Sequence, residues 1–116
     1  MDGKQPNLDS PILAEIVRRL VEVYHPERIY LFGSVARGDA GPDSDYDFMV
    51  VVSDDTPPEL RDCARAYQAF WGITPGGIGT ASDVLVWTRS YFERTLHLKS
   101  SLPSTVLREG KLLYAA

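Results

Sequence analysis

The chain has 116 residues, 44% of them hydrophobic and 24% charged, with a formal net charge of −4 and a pI near 5.0. That suffices for one domain with a real core and is too short for two, and the acidic balance argues against a non-specific nucleic-acid or membrane-surface binder, which needs a basic patch. The single Cys63 excludes an internal disulfide, no apolar run approaches membrane-span length, and the N-terminus lacks a signal-peptide core, so the expected location is the reducing cytoplasm.

Residues 1–9 are polar and read as a flexible tail, with a single domain over 10–116. Ser10-Pro11 supplies an N-cap and a proline at the first helical position. Leu13, Ile16, Val17, Leu20, Val21 and Tyr24 then recur at helical spacing, predicting an amphipathic helix over 11–25. Its other face, Glu15, Arg18, Arg19 and Glu22, reads as solvated surface. Arg19 and His25 fit a loose Arg-x₄₋₆-His ribonuclease pattern, but nothing else in the chain supports that match. His25-Pro26 should end the helix, because proline disfavours helical backbone in the residue before it.

Arg28 to Phe32 reads as the first strand and leads into Gly33-Ser34, a small turn before a short helical segment. Backbone N–H groups in such a turn can meet a phosphate. A second strand then carries Asp45 and Asp47. Residues two apart on a strand share a face, so both carboxylates project together with Cα atoms roughly 7 Å apart. That pairing suits one or two hard divalent cations, and Mg²⁺ is typically held by one or two carboxylates plus substrate phosphates. Phosphate cradle and metal pair on adjacent segments indicate phosphoryl or nucleotidyl transfer. Arg37 either meets a triphosphate oxygen or pairs with a carboxylate to hold the loop. Ser44 can hydrogen-bond locally and shape the approach to Asp45. Asp39 and Asp43, beside Gly41-Pro42, read as solvated turn acids. Phe48 to Val52 is apolar on both faces, as in a buried central strand, and gives the carboxylates a rigid mount.

Asp54 and Asp55 face opposite ways if extended, and acids ahead of a helix suit its positive N-terminal dipole, so both are read as structural. A second helix is expected over 58–71 with Leu60, Cys63, Ala64, Tyr67, Phe70 and Trp71 inward. The glycine-rich stretch 72–80 reads as a loop; no Gly-Lys-Ser/Thr follows, so it is not a Walker A motif. A strand over 81–87 carries Asp83 near its start. Asp83 is either a strand-end acid at the solvent boundary or a functional acid, since an unpaired carboxylate there is costly. Thr88 should cap a third helix to Leu98 with Tyr91, Phe92, Thr95 and Leu96 inward. A shorter helix ends at Gly110, and Lys111 to Tyr114 forms the last strand. The elements together indicate an α/β domain: a small mixed β-sheet with helices packed on one side.

The run GSVARGDAGPDSDYDFMVV resembles the signature of the DNA polymerase β-type nucleotidyltransferase superfamily, a Gly-Ser followed after about ten residues by Asp-x-Asp. In detail it is similar to the minimal nucleotidyltransferase (MNT) branch: Gly33, Ser34, Ala36, Arg37, Gly38, Ser44, Asp45 and Asp47 match its Gly-Ser-x-Ala-Arg-Gly and Ser-Asp-x-Asp elements. The Glu-Gly-Lys-x-Leu-Tyr ending also recurs in that branch. The signature covers under a fifth of the chain, while the order of elements fits nearly all of it. The resemblance implies a polymerase β-like fold with Asp45, Asp47 and Asp83 as catalytic residues and metal ligands. It implies two Mg²⁺ ions, with Mn²⁺ as the alternative, and Gly33, Ser34, Arg37 and Ser44 as the nucleotide-binding set. It further implies transfer of a nucleoside monophosphate, AMP favoured, from ATP to an acceptor that something else presents. In the minimal branch that acceptor is commonly a helical HEPN toxin, with the nucleotidyltransferase as antitoxin. The alternatives are modification of a small, aminoglycoside-like molecule with the acceptor site built across a homo-oligomer, or a catalytically silent module that neutralises a partner by contact.

Overall fold

The computed structural model describes residues 11–33, 46–62, 64–69 and 82–116. Helix α1 spans Pro11–Tyr24 and buries Leu13, Ile16, Val17, Leu20 and Tyr24, the stripe expected from the sequence. On its opposite face Glu15 pairs with Arg18 and Arg19, and these guanidiniums lower the Glu15 pKa to about 2. The helix stops where His25 turns left-handed, at φ 47°, with its N–H donating to the Val21 carbonyl at 2.9 Å. Pro26 makes a further helical turn unfavourable, so a left-handed residue closes the helix.

Four strands form one mixed sheet: β1 (Arg28–Phe32), β2 (Tyr46–Val52), β3 (Ser82–Thr88) and β4 (Lys111–Ala115), in the order β3-β2-β1-β4. Strand β1 runs antiparallel to both β2 and β4, while β3 is parallel to β2. The end of β1 therefore meets the starts of β2, β3 and β4 at one edge of the molecule. Within β2, Phe48, Met49, Val50, Val51 and Val52 are all buried, as the unbroken apolar run requires.

Alternation along the strands divides the core in two. Ile29, Leu31, Phe48, Val50, Val52 and Val84 join α1 in the larger cluster. Ala66 joins it from α2 (Ala64–Ala69). The Tyr24 hydroxyl donates to the Asp62 carbonyl at 2.7 Å, and the Arg65 guanidinium to the Val23 carbonyl at 3.3 Å, which ties α2 to the end of α1. On the opposite face Tyr30, Met49 and Val51 pack with Phe92 of α3 (Arg89–Arg94) and Val106 of α4 (Leu102–Glu109). The Tyr30 and Phe92 rings stack with centroids 5.7 Å apart. The mixed α/β architecture is the expected one, but helices cover both faces of the sheet and not one side alone: α3 and α4 pack opposite α1, because the alternating strand residues are apolar on both faces.

Local elements differ in instructive ways. The single helix expected over 58–71 is broken: Pro58–Leu60 is a short 3-10 turn, Arg61 leaves helical geometry at φ −102° and ψ 6°, and α2 starts at Ala64. Asp62 explains the break, because its carboxylate accepts from the Ala64 N–H at 2.9 Å, competing with helix continuation. Leu60, expected inward, is 39% exposed on that turn. Helix α3 is likewise short and ends at Arg94; Thr88 caps it as expected, accepting from the Tyr91 N–H at 3.3 Å. Tyr91, also expected inward, is half-exposed and meets Trp87 edge-on, whereas Phe92 fills the core.

Candidate active site

Strand β1 delivers the chain to Gly33 at the edge where the strand ends converge. Phe32 pairs in register with Asp47, and Asp47 with Asp83, so one row crosses β1, β2 and β3. Neighbouring strands lie about 4.8 Å apart, which sets the Asp47 and Asp83 backbones side by side. The next row inward is Leu31, Phe48 and Val84, all buried. The acid row is thus the last that spans all three strands, with only Tyr46 and Ser82 paired beyond it, and Asp47 itself is half-buried above a rigid apolar floor.

Gly33 has φ +79°, left-handed backbone that favours glycine. A second constraint is steric. A Cβ built on Gly33 would overlap the Asp47 carboxylate oxygen Oδ2 and sit 3.2 Å from Cγ. The Gly33 backbone therefore lies directly against the Asp47 carboxylate. Gly33 and Asp47, 14 positions apart in the sequence, are one piece of structure.

The last glycine serves the same edge. At Gly110, between α4 and β4, a Cβ would lie 2.5 Å from the Val106 carbonyl oxygen and 2.8 Å from that of Leu31. Its φ of −85° is ordinary, so close packing against the end of β1 demands glycine there. The sequence marks Gly110 only as a helix stop. The recurring Glu-Gly-Lys ending was the signal that could have revealed a packing role.

Of the residues singled out from the sequence, the structure brings together Gly33, Asp47 and the backbone of Asp83. Ser34, Arg37, Ser44 and Asp45 lie outside the described residues, as do Asp39, Asp43, Cys63 and the stretch 72–80. No cluster of three or more His, Cys, Asp or Glu side chains occurs among the described residues. What is described fits a hard divalent cation in donor type: carboxylate-bearing residues in adjoining register positions at an open sheet end. Asp54 is structural, as expected, but it serves a different helix from the one following it in sequence. Its carboxylate accepts from the Ser90 N–H at 2.9 Å and from the Ser90 hydroxyl, in the first turn of α3. Those hydrogen bonds hold its pKa below the ordinary carboxylate value.

Residues 11–70 match the family model described as "Nucleotidyltransferase domain". The match spans more than half of the chain, and the protein belongs to that family. No curated protein matches the chain. Among solved structures it is similar to a candidate nucleotidyltransferase from Sulfolobus solfataricus, with a TM-score of 0.59 and 21% identity over 95% of this chain and 81% of that one. It is similar also to a toxin–antitoxin structure with AMP-PNP, at a TM-score of 0.56 and 24% identity over 89% of this chain and 73% of that one. A mutant of the MntA-HpeT toxin–antitoxin pair gives a TM-score of 0.54 and 22% identity with the same coverage. At these identities the likeness is one of fold.

Proposed function

We propose that this nucleotidyltransferase-family protein transfers AMP from ATP to a side chain of a helical HEPN-type toxin and acts as its antitoxin. The observation that carries the reading is the contact between the Gly33 turn and the Asp47 carboxylate, in register with Asp83. A phosphate-binding turn and an acid pair work on one triphosphate only if they lie within a few ångströms of each other. The toxin–antitoxin character of two structural neighbours supports the choice of acceptor, and AMP-PNP in one of them supports an adenine nucleotide.

In this reading the Gly33-Ser34 backbone and the Ser34 hydroxyl hold the outer phosphates, where charge develops on the leaving pyrophosphate. Arg37 neutralises a triphosphate oxygen, and Ser44 orients Asp45. Asp45, Asp47 and Asp83 would hold Mg²⁺, or Mn²⁺ as the alternative, which when bound supplies Lewis-acid polarisation of the phosphoryl oxygens. Asp83, from the neighbouring strand, assists removal of the acceptor's proton. The buried rows beneath the acids keep Asp47 fixed during the reaction.

The test incubates the protein with α-labelled ATP, Mg²⁺ and a purified HEPN-type toxin, and follows label on the toxin. Label should appear with wild type and be lost in chelator and in Asp47→Asn, whose melting temperature should not fall, because removing a carboxylate relieves repulsion in a metal-free site. Undiminished labelling in Asp47→Asn or in chelator would overturn the mechanism. Labelling of a small molecule in place of the toxin would overturn the acceptor.

A further inference from the structure

A cleft of about 340 Å³ lies far from the acid row, lined by Arg61, Val86, Trp87, Thr88, Ser90, Tyr91 and Arg94. Trp87 is four residues beyond Asp83 on β3, about 13 Å away along the strand. Its chemistry is unlike the rest of this acidic chain. Two guanidiniums line it, and among the described residues neither Arg61 nor Arg94 pairs with a carboxylate. The Arg61 Nε is buried and has no hydrogen-bond partner. A buried donor of that kind is costly unless an acceptor reaches it. Flat apolar walls complete the cleft: the Trp87 and Tyr91 rings meet edge-on at 4.7 Å and 73°, and Arg94 lies over the Tyr91 ring at 5.4 Å.

We propose that this cleft is a second, non-catalytic site for a mononucleotide. Its phosphate would accept from Arg61 Nε and Arg94, and its base would lie against Trp87 and Tyr91. A guanidinium edge matches phosphate geometry, and aromatic and guanidinium planes are the usual partners of a base. Size separates this occupant from a single acidic side chain of a partner protein. The volume lies at the lower end of the range for small-molecule sites, roughly 300–1,000 Å³, and a lone carboxylate would leave most of it unfilled. Asp54, which bonds the lining residue Ser90, is already engaged by that residue's amide and hydroxyl.

The proposal is independent of the transfer reading, because its test runs in chelator, where metal-dependent nucleotide binding at the acid row is silenced. AMP, adenosine and inorganic phosphate are titrated separately into the full chain, with calorimetry giving affinity and the indole N–H signals giving location. The chain has two tryptophans, and Trp87→Phe assigns the Trp87 signal. AMP should bind at one site and shift the Trp87 signal, with adenosine and phosphate each at least about tenfold weaker because each keeps only half of the contacts. Arg61→Gln should weaken AMP by about tenfold or more while transfer activity and melting temperature stay at wild-type values, and Arg61→Lys should recover part of the loss. Tyr91→Ala, at a half-exposed position, provides a second variant should Arg61→Gln fail to fold. An unshifted Trp87 signal, equal AMP affinity in Arg61→Gln or Tyr91→Ala, or binding of a glutamate-rich peptide but not AMP would each overturn the proposal.

Discussion

Replacing Gly33 by alanine tests whether the turn and the acid are mechanically one unit. Two separate costs are expected. The left-handed backbone at φ +79° penalises any L-residue by about 1–2 kcal/mol. The new methyl group also overlaps Asp47 Oδ2, forcing the carboxylate or the turn to move, an overpacking cost of about 1–3 kcal/mol. Only the second depends on Asp47. In Asp47→Ala the carboxyl group is gone, and the remaining neighbour, the residue-47 Cβ, lies 3.5 Å from the added methyl, an ordinary contact.

A double-mutant cycle therefore separates the two. Gly33→Ala should cost the sum in the wild-type background and the backbone part alone with Asp47→Ala, leaving a coupling of about 1–3 kcal/mol. At about 4 °C of melting temperature per kcal/mol for a domain of this size, thermal unfolding of the four proteins resolves that coupling. Transfer activity should fall in Gly33→Ala further than the fraction unfolded accounts for, since the displaced carboxylate is the one proposed to work. Additive melting shifts, with no coupling, would refute the packing argument; coupling with full activity would leave the packing intact and remove Asp47 from the chemistry.

Gly110→Ala should destabilise by about 2 kcal/mol or more, because both obstacles to the methyl are backbone carbonyls that cannot swing aside; an unchanged urea midpoint would contradict the close approach to β1. Asp54 gives a pH signature. Its folded pKa is lowered by the two Ser90 hydrogen bonds, so its stabilising effect is full above the ordinary carboxylate pKa and fades as pH falls through the lowered value. The stability gap between wild type and Asp54→Ala should stay constant from about pH 8 to 5 and close below about pH 4; a gap that widens on acidification would reverse the assignment.

Much of the fold is legible in the sequence wherever a pattern repeats over enough residues to outvote local exceptions. The apolar stripe of α1 shows its buried face, and the unbroken, valine-rich run Phe48 to Val52 reads as a strand covered on both sides. Where one side chain decides the outcome, the pattern misleads. Leu60 lies on a correct helical stripe, yet Asp62 captures the Ala64 amide two residues later and the stripe never becomes one helix. Asp54 is read correctly as a helix-terminus acid, but it serves Ser90, 36 positions away, which only the parallel pairing of β2 with β3 brings near.

The site divides along the same line. Residue types and spacing within the signature single out Gly33 and Asp47, which the structure places in contact, because both belong to one stretch. The partnership of Asp47 with Asp83 depends on strand register, and that register rests on the row beneath it. Phe48 and Val84 are both buried and adjacent, so a slip of one residue would send apolar side chains to the wrong face. Core packing thus fixes that Asp83, and not Ser82 or Val84, stands beside Asp47. Gly110 follows from the pairing of β4 with β1: Lys111 pairs with Leu31, and the residue before it passes tightly against the Leu31 carbonyl. Gly33 and Gly110, 77 positions apart, each meet a close approach at this end of the sheet, and neither can be understood from its sequence neighbours alone.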